Sequence, residues 1–167
     1  MGRSAAAGNI AAAMTSGEFT RAASAQAAGL TIEQLRYYAA RHVVAPSARP
    51  AAGRGSSVRY TFFDLLKLRV IRLLHNDTAT NIEMARSAAR ELDKVRAGGW
   101  TGAYLTTSDW DVFWIRDRNA LAALADESLC VTVSLAAVDR DLRVALRLLG
   151  MSAGEDPGRV IRAALAG

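Results

Sequence analysis

The most constraining feature is a single glycine between two short helix signals. Thr20 is an N-cap type residue followed by Arg21–Ala28, Gly29 is the usual helix stop, and Thr31 begins a second helical pattern at once. Leu35 and Tyr38 of that second segment share one side at i, i+3 spacing. Two short helices joined by about three residues have the spacing of a helix-turn-helix, whose second helix is the one presented outward.

The segment from Val43 to Tyr60 cannot be helix, because Pro46 and Pro50 interrupt it. Gly53-Arg54-Gly55-Ser56-Ser57 reads as a flexible tip. The flanking Val43-Val44 and Val58-Arg59-Tyr60 are expected to pair across it as a small basic wing. Thr61 then caps an amphipathic helix from Phe62 to about Asn76. Thr80 caps another from about Asn81 to Arg96, stopped by Gly98-Gly99.

Beyond those glycines the period changes to two. Tyr104–Thr107 and Trp110–Ile115 read as strands, Arg118–Ala125 as a short helix and Leu129–Ser134 as a third strand. A last long helix spans Leu135 to Leu149. Its Leu135, Val138, Leu142, Ala145 and Leu149 form an a/d seam that serves either as a core stripe or as a subunit contact. Pro157 starts a weak final helix, and residues 1–17 read as a disordered tail with Met14 as an alternative start. The expected fold is mainly α with a small β component: a winged helix-turn-helix over 18–97, then an α+β module over 98–167.

Charge points to the partner. The net charge is +5, and residues 1–75 hold ten Lys or Arg against three Asp or Glu. Only Lys67 and Lys94 are lysine, and Arg forks suit phosphate oxygens and guanine edges. A basic first half implies an anionic partner. One cysteine, Cys130, excludes an intrachain disulfide and reads as a small buried hydrophobe in a strand. Cys130, His42 and His75 lie too far apart in sequence for a thiolate metal site. No phosphate loop, zinc-protease motif or nucleophile triad is present, so neither a cofactor nor an enzyme is expected. No apolar run reaches membrane-spanning length, and a cytoplasmic, nucleoid-associated protein is the expectation.

Thr31-Ile32-Glu33-Gln34-Leu35-Arg36-Tyr37-Tyr38, then Val43-Val44-Ala45-Pro46, Val58-Arg59-Tyr60 and Asp64-Leu65-Leu66-Lys67-Leu68-Arg69-Val70-Ile71, resemble in order and spacing the MerR family of winged-helix transcription regulators. The resemblance covers about Phe19 to Val95. It implies a homodimer that distorts promoter DNA, with Arg36 clamping the backbone, a tyrosine of the Tyr37-Tyr38 pair offering its hydroxyl to phosphate, and Arg59 at a wing contact. The residues add their own chemistry. First-turn side chains of a recognition helix reach base edges, so Gln34 suits adenine and Glu33 suits the cytosine amino group. Thr31 serves as cap or phosphate ligand, and Arg54 at the tip as a backbone contact. The candidate DNA-binding set is therefore Thr31, Glu33, Gln34, Arg36, Tyr37, Tyr38, Arg54, Arg59 and Tyr60.

The sequence departs from the family where Glu33 replaces a frequent basic residue, in a longer wing, and where Gly98-Gly99 and β-structure interrupt the position of the long dimerisation helix. Dimerisation then falls to the Leu135–Leu149 helix or another surface. Trp100, Tyr104, Trp110 and Trp114 are either core and interface aromatics or the walls of a pocket for a small apolar effector. RNA polymerase is the further partner the resemblance implies. The alternative function is an architectural, excisionase-like protein that bends DNA without sensing an effector.

Overall fold

Two helix stops in left-handed backbone set the geometry of the first half. The computed structural model describes residues 17–49, 57–77, 81–100, 102–108, 111–127, 130–150, 162–163 and 165–166. Its elements run β1 (Glu18–Thr20), α1 (Arg21–Ala28), α2 (Ile32–Ala40), β2 (Arg59–Thr61), α3 (Phe62–Asp77), α4 (Ile82–Gly98), β3 (Tyr104–Ser108), β4 (Asp111–Ile115), α5 (Arg118–Glu127), β5 (Cys130–Ser134) and α6 (Leu135–Leu149).

Thr20 caps α1 by accepting from the Ala23 amide at 3.2 Å. At the other end Gly29 sits at φ 72°, and Leu30 and Gly29 donate back to the carbonyls of Ala25 and Gln26 at 2.8 and 3.2 Å. This is the paired closure that a left-handed stop allows. The positive φ is what favours glycine; a Cβ there would lie 2.9 Å from Nη1 of Arg72, the end of a flexible side chain that can move aside. The Arg69 and Arg72 guanidiniums from α3 crowd the end of α1, where the helix dipole favours cations.

The end of α2 repeats the device without glycine. Val43 and His42 donate to Tyr38 and Ala39 carbonyls at 2.9 and 3.1 Å, with His42 at φ 55°. Arg86 of α4 grips the last turn, its Nε and Nη2 donating to the Arg41 carbonyl at 3.1 and 3.0 Å. A left-handed non-glycine residue costs about 1–2 kcal/mol, and a new glycine costs about 0.5–1 kcal/mol of unfolded-chain entropy. His42→Gly is therefore expected to raise stability by about 0.5–1 kcal/mol in urea unfolding.

That turn also corrects the expected wing. Val43 and Val44 form no strand; they are buried at 5% and 1% exposure as the chain folds back under α2. Their β-branched character reflects burial rather than pairing. β2 instead pairs antiparallel with β1, setting Phe19 opposite Tyr60. The wing arms meet further on, where Arg49 and Arg59 exchange backbone hydrogen bonds at 3.1 and 2.9 Å. The tip with Arg54 lies outside the described residues, as do the tail expected over 1–17 apart from Gly17, and the start of the helix expected at Pro157.

α3 opens with a reciprocal cap. Thr61 Oγ1 accepts from the Asp64 amide at 3.2 Å, and the Thr61 amide donates to Asp64 Oδ2 at 2.9 Å. α4 is capped by Asn81, whose Oδ1 accepts from the Met84 amide at 2.9 Å; the expected cap, Thr80, lies outside the described residues. Asn is among the preferred residues at an N-cap.

The second half is a β4-β3-β5 antiparallel sheet, with Leu105 between Trp114 and Val133. Its inner face packs through β4 on α4 and through β5 on α3. α6 lies along α3 and α1, with Leu135, Val138, Leu142 and Leu146 at 4% exposure or less. Leu135, Val138 and Leu142 of the expected seam are thus core within the chain, Ala145 and Leu149 are half-buried, and Leu146 takes the next buried place on the helix; both halves contribute to one buried cluster. Among the described residues no helix is long and apolar enough to cross a membrane.

Candidate nucleic-acid interface

α2 divides cleanly into two sides. Leu35 and Tyr38 point into the core at 0% and 7% exposure, and Thr31, Ile32, Glu33, Gln34, Arg36 and Tyr37 are exposed. At 3.6 residues per turn, Glu33 lies opposite the buried pair and is the most outward side chain of the first turn. It has no hydrogen bond or ion pair among the described residues.

Thr31 and Gln34 are committed to each other. Thr31 Oγ1 accepts from the Gln34 amide at 3.1 Å, and Gln34 Oε1 accepts from the Thr31 amide at 2.9 Å. Bidentate pairing with adenine needs both the carbonyl and the amino group of a Gln side chain. Gln34 can offer that only by releasing the cap; with the cap intact it presents its amino group alone.

The tyrosines part company. Tyr37 is 48% exposed, with the Arg41 guanidinium 5.5 Å from its ring centre. Tyr38 is core, and burial, aided by nearby Tyr37, pushes its hydroxyl pKa up. Tyr60 is 1% exposed, and burial raises its pKa too, opposed by the Arg21 guanidinium beside it. The structure therefore places Tyr38 and Tyr60 inside and leaves Tyr37 as the surface hydroxyl. Each buried phenol favours its neutral form in the folded state, so its contribution is full below about pH 10, the unfolded value, and is lost as pH rises through the higher folded value. Stability is expected to fall as pH rises above about 10, with part of the tyrosinate absorbance appearing only as the helical signal is lost.

Arg36 faces the wing. With Arg21, His42, Pro46 and Tyr60 it lines a cleft of about 350 Å³ between α2 and the wing base. Among the described residues Arg21 Nε is buried there without a hydrogen-bond partner, while the guanidinium also interacts with the Tyr60 hydroxyl. Two guanidiniums thus converge beside the exposed helix face and make the cleft electropositive. Arg21 lines this cleft although the sequence motifs do not single it out. Its one signal is a cation in the first turn of α1, where a helix dipole favours an acid. Arg49 and Arg59 stand opposite each other on the two arms of the wing.

The wing base is locked by Asp64, which is 1% exposed. Its Oδ2 accepts from the Ser47 amide at 3.0 Å and the Ser47 hydroxyl at 2.7 Å, besides the Thr61 amide. Across α2 a second groove, of about 620 Å³, runs between Glu33, Gln34, Tyr37 and Tyr38 on one side and Asn81, Ile82 and Ala85 on the other.

The aromatic residues of the second half do not all converge. Trp100 stacks on Phe63 of α3, with centroids 5.6 Å apart and planes 15° apart. Trp114 lies under Arg116 at 5.3 Å. Tyr104 pairs with Ile115 and Leu105 with Trp114, so Tyr104 and Trp114 occupy opposite faces of the sheet. Trp110 lies outside the described residues. Among the described residues no group of three His, Cys, Asp or Glu is placed to hold a metal.

Comparison with known proteins meets this geometry. The sequence profile of the MerR HTH family regulatory proteins matches residues 19–92. Proteins described as uncharacterized HTH-type transcriptional regulators, from Mycobacterium bovis and Mycobacterium tuberculosis, are 42% identical to this chain over 67 residues. That stretch is 40% of this chain and 29% of those proteins, so the similarity spans less than a third of the curated relatives.

Proposed function

We propose, from the match of residues 19–92 to the MerR HTH family regulatory proteins, that the protein binds a specific duplex DNA site through α2 and the wing and regulates transcription there, as a homodimer. The observation that carries this reading is the exposed face of α2 beside the cleft where Arg21 and Arg36 converge. An α-helix about 10–12 Å across fits a major groove about 12 Å wide. Arg36, Arg59 and the Tyr37 hydroxyl then meet phosphates and fix the register, and Glu33 reads an exocyclic amino group.

A second reading has its own support. Leu135, Val138 and Leu142 of the α6 seam are buried against α3 and α1 and are not free to join two copies. An architectural protein that lines up on tandem sites and bends DNA needs no such seam. Selection of bound sequences from a random duplex pool at near-physiological salt separates the two. The regulator reading expects an inverted repeat with half-site centres about one helical turn, or a multiple of it, apart. Tandem half-sites would favour the architectural protein. Salt-sensitive binding with no enriched sequence would contradict both forms of site-specific recognition.

A further inference from the structure

We infer that Ile32 is a specificity-determining residue that reads the methyl group of a thymine in the bound half-site; this rests on the DNA-binding reading above. Among the described residues three large hydrophobic side chains are exposed, and two of them, Ile32 at 38% and Tyr37 at 48%, are on α2. Tyr37 has a polar tip and a cation over its ring, which suit a wet surface. Ile32 has neither. It is β-branched, a poorer helix former than the Ala or Lys a merely solvated face would carry.

Its position supplies the reason. Ile32 is the first residue after the Thr31 cap, in the turn whose side chains reach base edges. The apolar feature on the major-groove floor is the thymine C5 methyl. Arg36 stands one turn further along the same side, so a phosphate held by Arg36 fixes how far Ile32 enters the groove. The neighbours narrow the code. Gln34 has its carbonyl in the cap, Glu33 offers only acceptors, and the first turn carries no Arg or Lys for guanine O6 and N7. A methyl contact beside an amino-group contact is what this turn can read.

The test uses the full chain and a duplex recovered by selection, with each thymine replaced in turn by deoxyuridine. The expected result is one position per half-site at which affinity falls about fourfold, the equivalent of burying one methyl group (~0.8 kcal/mol). Ile32→Ala should lose a similar factor on the thymine duplex and become indifferent to the replacement, and Ile32→Val should keep the discrimination. Because the side chain is exposed, both variants should match the parent in circular dichroism. No sensitive position in the parent protein, or sensitivity that persists in Ile32→Ala, would overturn the inference and leave site-specific binding standing. A chain that enriches no sequence at all would overturn the DNA-binding reading and this inference with it.

Discussion

Asp64→Ala is expected to lower folding stability by about 2–4 kcal/mol, measured by urea unfolding. The side chain is buried, and its Oδ2 alone holds the Ser47 amide, the Ser47 hydroxyl and the Thr61 amide. Hydrogen bonds to a charged acceptor are worth about twice neutral ones, and each donor left unsatisfied costs about 1–3 kcal/mol. Ser47 is exposed, so water recovers part of that loss. The cap of α3 goes as well, at about 1 kcal/mol. Asp64→Asn keeps the shape and one acceptor and should lose about half as much. A loss under about 1 kcal/mol for Asp64→Ala would mean that water satisfies these donors and the lock is ornamental. Because Ser47 leads into Arg49, the alanine variant should also bind DNA more weakly in proportion to the loosening of the wing.

Leu142→Ala on α6 is expected to cost about 2–5 kcal/mol, the range for emptying a fully buried leucine site. The informative part is where the loss shows. α6 packs on α3 and α1, and Trp100 stacks on Phe63, so the two halves share apolar contacts. Tryptophan fluorescence reports residues beyond 98, and circular dichroism reports helices of both halves. One shared transition, shifted equally by both probes, is the predicted outcome. A shift confined to fluorescence would show that residues 18–97 fold independently of the module after them.

Much of this fold is legible in sequence because its signals are local. Thr20, Gly29, Thr31 and Thr61 act within three residues of themselves, and the structure has them at the helix ends they mark. Alternation and heptad spacing likewise delimit β3, β5 and α6 closely. The unread parts depend on contacts distant in sequence. β1 is three residues long, too short to show a period, and its partner lies some forty residues on. Val43-Val44 looks like a strand because burial and pairing select the same residues. Asp64 reads as an ordinary first-turn acid until Ser47, 17 residues away, arrives against it. Gln34 looks free until its carbonyl is found in the Thr31 cap. The seam of α6 is visible in the heptad spacing, but whether it meets another helix of this chain or of another is a question of tertiary packing.

The most direct test of the central claim, that the α2 and wing face holds duplex DNA, is affinity measured across a salt series for the parent, Arg36→Ala and Arg59→Ala. If both guanidiniums meet phosphates, each variant should lose about 1–3 kcal/mol. Each should also lower the slope of log affinity against log salt by about one, on every sequence alike. Affinity and slope unchanged in both variants would mean that DNA, if bound at all, sits elsewhere on the molecule.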